Sequence, residues 1–355
     1  MLSSTLPEKV NHTYFVLPKF GEPPQQGATP NAWGMVADIN PSYLTFSQTR
    51  RSEFTLSGIL VIVWGASMSG FSMLPLAITF WSKTPELPLL MTVILSLIPL
   101  ALFCIALLVP LVFLRKPRSA ILLSRELRRF YHWQGRRKGW VALNYDDVTP
   151  YVMRVTIISQ AGADTSYFLH VGLLKPGTRK VCQSIRLSDP SRGTIQPPAE
   201  LWEFIRTYMA APPAKVPPIE FRVPEGQDYG IHTRMDRDML GDLVDAEHRL
   251  LPGLFSKIYF GMLAMMTYWS ARLLPLVERK RPQPSFPPAL AETMRWSGKN
   301  PYRITPPTKT EQKAIAGQLP YMNQRWFIGG LLSTLFWGGS FIGFVTITWR
   351  MVLSQ

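Results

Sequence analysis

Two long apolar runs, Leu56 to Phe80 and Leu87 to Leu114, follow one another early in the chain, and the only formally charged residues across both and their joining turn are Lys83 and Glu86. Hydrocarbon offers backbone groups no partner, so a segment that crosses a bilayer satisfies its own hydrogen bonds as a helix of ~20 apolar residues. Both runs reach that length. The turn between them, Trp81 to Pro88, is too short for a domain and too polar for a bilayer core. The pair therefore reads as a transmembrane helical hairpin, 55–114, with both outer ends on one side. Trp81 suits an interfacial anchor.

Charge selects the side. Directly after the second run come Arg115, Lys116, Arg118, Arg125, Arg128 and Arg129, then Arg136, Arg137 and Lys138, against one carboxylate, Glu126. Basic residues that flank a span are retained in the cytoplasm. Arg50 and Arg51, ahead of the first run, agree. The reading is a multi-pass protein with its large domain cytoplasmic. The same basic run also suits anionic lipid head groups, which makes membrane lipid an expected partner, although topology signal plus solvated strand edges accounts for it more simply. Nucleic acid is the third outlet for the formal net charge of +15. It is disfavoured, because no stacking module is legible among the aromatic residues.

Cys104 falls in a membrane run and Cys182 in a cytoplasmic strand, so no structural disulfide is expected. Met1 to Tyr14 lacks the apolar core of a cleavable signal, and export of the middle region is not indicated. Residues 1–54, rich in Pro, Gly and Asn, read as an irregular cytoplasmic arm to which His12 to Leu17 contributes one strand. Asn11-His12-Thr13 matches a glycosylation acceptor, an empty match in a cytoplasmic arm.

Beyond the hairpin the period shortens to that of strands. Leu127–Trp133, Gly139–Asn144, Tyr151–Ser159, Thr165–Leu174 and Lys180–Leu187 are rich in β-branched and aromatic residues and bounded by turn formers. Five strands in succession imply an antiparallel meander. Pro198 to Met209 then turns helical, with Leu201, Trp202, Ile205, Tyr208 and Met209 on one apolar stripe, and Ala211-Pro212-Pro213 ends it. This helix should close an open face of the sheet, giving a sheet-plus-helix domain over 115–220.

Residues 221–326 read as a helical, interfacial and Pro-rich cytoplasmic region. Within it, Asp228 to Leu251 suggests a surface helix whose acidic face carries Asp236, Asp238, Asp242, Asp245 and Glu247. Ile258 to Ala271 is apolar but too short for an ordinary span; with Lys257 and Arg272 at its ends it suits an interfacial helix first, a buried one second and a span third. Pro275 to Pro307 reads as extended. Phe327 to Leu353, within 327–355, is a third long apolar run, broken only by Arg350. Its glycines, Gly339 and Gly343 among them, would allow close approach to the hairpin or to a second copy, so a homo-oligomer stays open. If the run spans, Arg350 reaches the far interface; the alternative is a helix lying on the membrane.

No catalytic constellation emerges, and neither a cofactor nor a metal is expected. His12, His132, His170, His232 and His248 are scattered, none paired at the spacing that puts two ligands on one helix face. The Asp236-Arg237-Asp238 stretch lacks the glycine and closing glutamate of a calcium loop, and a solvated helix face is the simpler reading.

Leu127 to Tyr131 followed by Gly139 to Asp146 resembles the first strands of a pleckstrin-homology-like middle domain found in bacterial membrane proteins. Leu201-Trp202-Glu203-Phe204-Ile205-Arg206-Thr207-Tyr208-Met209, with Pro212 and Pro217 after it, is similar to the helix of a type VI secretion-associated membrane protein family, domain of unknown function 6708. The resemblance implies a Gram-negative inner-membrane protein without assigned catalytic residues. Taken together, the expectation is an α+β membrane protein with an N-terminal hairpin, a cytoplasmic antiparallel sheet domain closed by a helix, and a C-terminal hydrophobic helix. Its expected role is non-enzymatic: binding a partner protein, a toxin or a secretion component, as a type VI immunity protein. An effector-loading adaptor and a lipid-acting membrane enzyme are the alternatives, and transport ranks last.

Overall fold

The computed structural model describes residues 14–47, 49–83, 89–118, 120–159, 162–221 and 230–354. It is an α+β protein, about 48% helix and 20% strand. Along the chain run β1 (Tyr14–Val16), β2 (Val36–Ile39), β3 (Tyr43–Phe46), α1 (Thr49–Lys83), α2 (Leu89–Leu114), β4 (Ile121–Ser124), β5 (Arg129–Trp133) and β6 (Trp140–Asn144). There follow β7 (Thr149–Ser159), β8 (Gly162–Leu174), β9 (Val181–Arg186), β10 (Ser191–Arg192), α3 (Gln196–Ala210), β11 (Ile219–Glu220), α4 (Ile231–Met235), α5 (Leu254–Lys280), α6 (Pro288–Thr293), β12 (Ile304–Thr305), α7 (Lys309–Ile315) and α8 (Pro320–Leu353). The glycosylation match at Asn11, residues 84–88 of the expected turn and the side chain of Trp81 lie outside the described residues.

Two interleaved units result. The first draws its described residues from Met1–Arg50, Pro117–Pro224 and Gln283–Pro307; the second from Arg51–Lys116, Glu225–Pro282 and Thr308–Gln355.

The first unit holds two five-stranded sheets and the short parallel pair β11-β12. One is the antiparallel series β2-β3-β4-β5-β6; the other is β1-β7-β8-β10, with β9 also on β8. The expected single meander is thus divided: after the turn at Tyr145–Asp147 the chain enters a second sheet that shares one hydrophobic core with the first. Val141 and Leu143 of one sheet, Val152, Leu169, Val171 and Ile185 of the other, and Leu201, Trp202, Phe204, Ile205 and Tyr208 of α3 form one hydrophobic cluster. Strand β4 is buried at all four residues. Ile121 and Leu123 face the shared core, while Leu122 joins Tyr131 beneath Leu290 of α6. A strand covered on both sides reads as a continuous apolar run without alternation. The Pro-rich stretch expected to be extended is therefore partly a cover for this sheet: Phe286 stacks on Trp140 at 5.5 Å, and the Trp140 indole donates to the Ser285 carbonyl at 2.6 Å.

The N-terminal arm, expected as irregular with one strand, contributes three strands and is pinned to α3. Trp202 Nε1 donates to the Pro18 carbonyl at 2.7 Å, and Trp33 Nε1 to buried Glu200 at 2.7 Å. Helix α3 stops where Ala211, which precedes Pro212, takes an extended conformation (φ −97°, ψ 156°), since proline Cδ clashes with a helical residue before it.

The second unit is helical. Helices α1 and α2 lie antiparallel: Phe71 meets Phe103 at 5.0 Å, and Leu56 clusters with Phe113. Helix α8 runs parallel to α1. Trp64 stacks edge-on to Trp337 at 5.0 Å and donates to its carbonyl at 2.9 Å, Phe71 meets Phe341 at 5.6 Å, and Trp349 donates to the Phe71 carbonyl at 3.1 Å. Gly329 and Gly330 seat α8 on α5: an added Cβ would lie 3.0 Å from Ala264 and 2.8 Å from the Tyr268 ring. These are the close approaches that small residues permit between helices. Gly338, Gly339 and Gly343 face open space instead.

Between Gly230 and Leu251 the expected surface helix shortens to α4, followed by a π-helical turn at Asp236–Leu240, a 3₁₀ turn at Gly241–Leu243 and a bridge between Val244 and Leu250. Gly241, at φ +51°, breaks the helix. Asp236 is fully buried, not on a solvated acidic face as the sequence suggests. The short interfacial segment expected at Ile258 is the middle of the 27-residue α5.

Candidate functional site

The described residues contain no group of three or more His, Cys, Asp or Glu placed to hold a metal ion. Among the described residues, the places where the chain can meet another molecule include its apolar helices, one sheet edge and one sheet face.

Among the described residues, three stretches are long and apolar enough to cross a membrane: Thr55–Met73, Leu97–Leu114 and Lys309–Met351. Their large side chains are exposed in numbers unusual for a surface in water, Leu107, Val112, Leu335 and Ile342 all more than 60%. Pro99 and Pro110 lie inside α2.

The six basic residues that follow α2 separate into two groups. Arg115 and Lys116 stay at the end of α2, exposed, with the Lys116 carbonyl capped by Arg281 Nε at 3.0 Å. Arg118 is half-buried. Arg125 and Arg128 belong to the sheet domain. Arg125 donates to the Tyr302 hydroxyl at 2.7 Å and the Ala211 carbonyl at 2.8 Å, which ties the end of α3 to the β4–β5 turn. Arg128 lies over Phe20 and Tyr145 and forks onto Asp146, its Nε 2.8 Å from Oδ2. Hydrogen bonding to Arg128 holds the Asp146 carboxyl below the usual range, and burial pushes the Tyr145 phenol up. Arg129 is exposed on β5 opposite Asn144.

The stripe of α3, Leu201, Trp202, Ile205, Tyr208 and Met209, is at most 5% exposed, so this helix face is spent on the core and is not a docking surface. Burial pushes the Tyr208 phenol up, and its hydroxyl donates to the Asn40 carbonyl at 2.9 Å. Glu200 and Glu203, whose burial the spacing of charged residues did not reveal, face the arm from α3. Glu200 accepts from Thr29, Trp33 and Gln196; Glu203 accepts from Arg206 and the Gln25 amide. Carboxylates inside a helix that faces a Pro- and Gly-rich arm were the available signal.

Strand β7 offers the open edge. Strand β1 pairs with it only from Tyr151 to Met153, whereas its pairing with β8 continues to Ser159. Among the described residues, Arg154 to Ser159 therefore has a strand on one side only. Pro150 accepts the Leu17 amide on the β1 side, so the alternate residues Val152, Arg154, Thr156 and Ile158 turn their main-chain groups to that edge.

The outer face of this sheet carries an aromatic cluster. Tyr151 stacks on His170 at 5.3 Å and meets Tyr14 edge-on at 6.0 Å. Gly172 makes room: a Cβ there would lie 3.0 Å from both Tyr151 and Val181. Arg186 lies over Phe168 at 5.2 Å. Burial, then the Arg186 guanidinium, push the His170 imidazole down to about 4, so it is neutral near pH 7. Neither ring nitrogen has a hydrogen-bond partner among the described residues.

In the second unit Asp236 collects three donors, Arg325, Trp326 Nε1 at 2.8 Å and His248 Nδ1 at 2.9 Å. This buried network ties the π-helical turn to the start of α8. Burial also lowers the pKa of nearby His232, whose Nδ1 lies 2.9 Å from Asn323 Oδ1.

Fold and surface together define an α+β protein bearing three helices long and apolar enough to span a bilayer. Residues 89–291, from the start of α2 into α6, match a family of unknown function, DUF6708, and the chain belongs to that family. No curated protein and no solved structure matches it.

Proposed function

We propose that the chain is a non-enzymatic inner-membrane protein of a type VI secretion locus, and that its sheet domain stands in the cytoplasm and binds a toxic effector to neutralise it. The observation that carries this reading is the edge of β7, which from Arg154 to Ser159 has, among the described residues, a strand on one side only, in a domain built from strands on both sides of an apolar hairpin. An exposed edge adds an incoming strand through main-chain hydrogen bonds, with alternate side chains supplying specificity. A pleckstrin-homology-like assignment is supported by two antiparallel sheets around one core closed by α3. Cytoplasmic placement is supported by Arg115 and Lys116 at the end of α2 and by the positive-inside rule.

The test is co-expression with toxins from neighbouring genes, together with a pull-down. The wild-type chain should restore growth and retain the toxin. Thr156→Pro should lose both while leaving the thermal midpoint of the domain unchanged, because it removes an outward-facing donor and no ladder bond. Protection with undiminished binding by Thr156→Pro would exclude the edge. Failure of every neighbouring toxin to bind would exclude the immunity role, and loss of effector delivery on deletion would assign the adaptor role instead.

A further inference from the structure

Helix α5 is apolar on two opposite faces. Phe260, Ala264, Ala271 and Leu274 are buried within the second unit. Opposite them, Leu254, Phe255, Ile258, Met262, Met266 and Trp269 are each at least 40% exposed. At 3.6 residues per turn these six fall within an arc of about 120°. Lys257 and Arg272, both exposed, sit along one border of the arc. The only carboxylate of the helix, Glu278, is buried and paired with Arg281 at 2.8 Å. A helix face turned to water is polar; a continuous apolar stripe with cations on one border matches a bilayer surface with anionic head groups.

The level of the helix points the same way. The Met265 carbonyl accepts Trp337 Nε1 at 2.8 Å and Ser333 Oγ at 2.9 Å, and Ser270 Oγ lies 2.6 Å from Ser57 Oγ. The middle of α5 is thus beside Ser57 to Trp64, the opening turns of the apolar stretch Thr55–Met73. An exposed apolar face at the mouth of a span meets the boundary between head groups and acyl chains. Helix α5 itself is not among the stretches apolar enough to cross.

We propose that α5 lies in the membrane interface on the side from which α1 enters, with Ile258, Met262 and Met266 immersed among acyl chains and Lys257 and Arg272 on anionic head groups. This rests on the reading that α1, α2 and α8 span the bilayer.

The experiment uses the full chain carrying Cys104→Ser and Cys182→Ser, with single spin-labelled cysteines placed by Met262→Cys, Met266→Cys, Val61→Cys and Lys299→Cys, in vesicles of phosphatidylcholine and phosphatidylglycerol. Labels at 262 and 266 should collide with oxygen in preference to an aqueous nickel chelate, at a depth of ~5–10 Å. The boundary lipid should favour spin-labelled phosphatidylglycerol over phosphatidylcholine, and Lys257→Gln with Arg272→Gln should reduce that preference. Nickel access at 262 and 266 equal to that at 299, with the label at 61 in hydrocarbon, overturns the proposal alone. A water-exposed label at 61 overturns the spanning reading beneath it. Spin–spin broadening at 262 that disappears on dilution with unlabelled chain would place a second copy on this face and overturn the proposal.

Discussion

Tyr43 on β3 lies directly opposite Ser124 on β4, an antiparallel pair whose two members have the whole of α1 and α2 between them in sequence. The pairing continues through Leu44 opposite Leu123 and Thr45 opposite Leu122. The chain therefore leaves and re-enters one sheet at neighbouring strands, and both ends of the apolar hairpin return to the same domain. Loop-closure entropy rises only slowly with length, so a well-packed strand pair can hold such an insertion.

Leu123 and Leu44 are fully buried, and truncating either leaves a cavity in the core shared by both sheets. Leu123→Ala should destabilise the sheet domain by about 2–5 kcal/mol. The denaturation midpoint of detergent-purified protein, followed by tryptophan fluorescence, measures it. An unchanged midpoint would show that this pair does not hold the insertion.

His170 predicts a specific acid sensitivity. Its folded pKa, about 4, lies below the unfolded value of ~6.5, so the unfolded chain takes up the proton first. Stability is complete above the unfolded value and declines as pH falls towards the folded one, by about 2 kcal/mol at pH 5. His170→Phe keeps a ring against Tyr151 and removes the proton site. The stability difference between wild type and variant should shift in the variant's favour from pH 7.5 to pH 5; a constant difference would contradict the assignment.

The Asp236 network makes the third prediction. Asp236→Asn leaves Arg325 without its buried counter-charge, which typically costs about 3–5 kcal/mol. The start of α8 should loosen, read as faster amide exchange from Tyr321 to Trp326. A double-mutant cycle with Arg325→Met separates the pair from the Trp326 and His248 bonds; additivity of the two changes would mean that the pair is not coupled.

The sequence disclosed the parts of this fold whose signal is local. Three apolar runs became α1, α2 and α8, and the strands β5 to β9 lie within two or three residues of their expected bounds. It concealed what depends on distant partners. Strand β4 has no alternation because both faces are covered, and it follows a basic run that reads as a membrane flank. Strands β2 and β3 sit in a Pro- and Gly-rich arm whose partners lie beyond the hairpin. Asp236 reads as one acid of a solvated face, since the donors that justify its burial, His248, Arg325 and Trp326, come from elsewhere in the chain. Arg125 and Arg128 read as topology signal, whereas each also closes a contact inside the sheet domain. The open edge of β7 was invisible for the same reason: how far β1 extends along it is set by tertiary pairing.

Cys182, exposed on β9, gives the most direct test of where the sheet domain stands. In cells carrying the Cys104→Ser chain, the proposed cytoplasmic placement predicts that a membrane-impermeant maleimide added to spheroplasts leaves Cys182 unmodified until the inner membrane is permeabilised. Full labelling in intact spheroplasts would contradict that placement, and with it the account of a cytoplasmic domain held by a membrane-spanning hairpin.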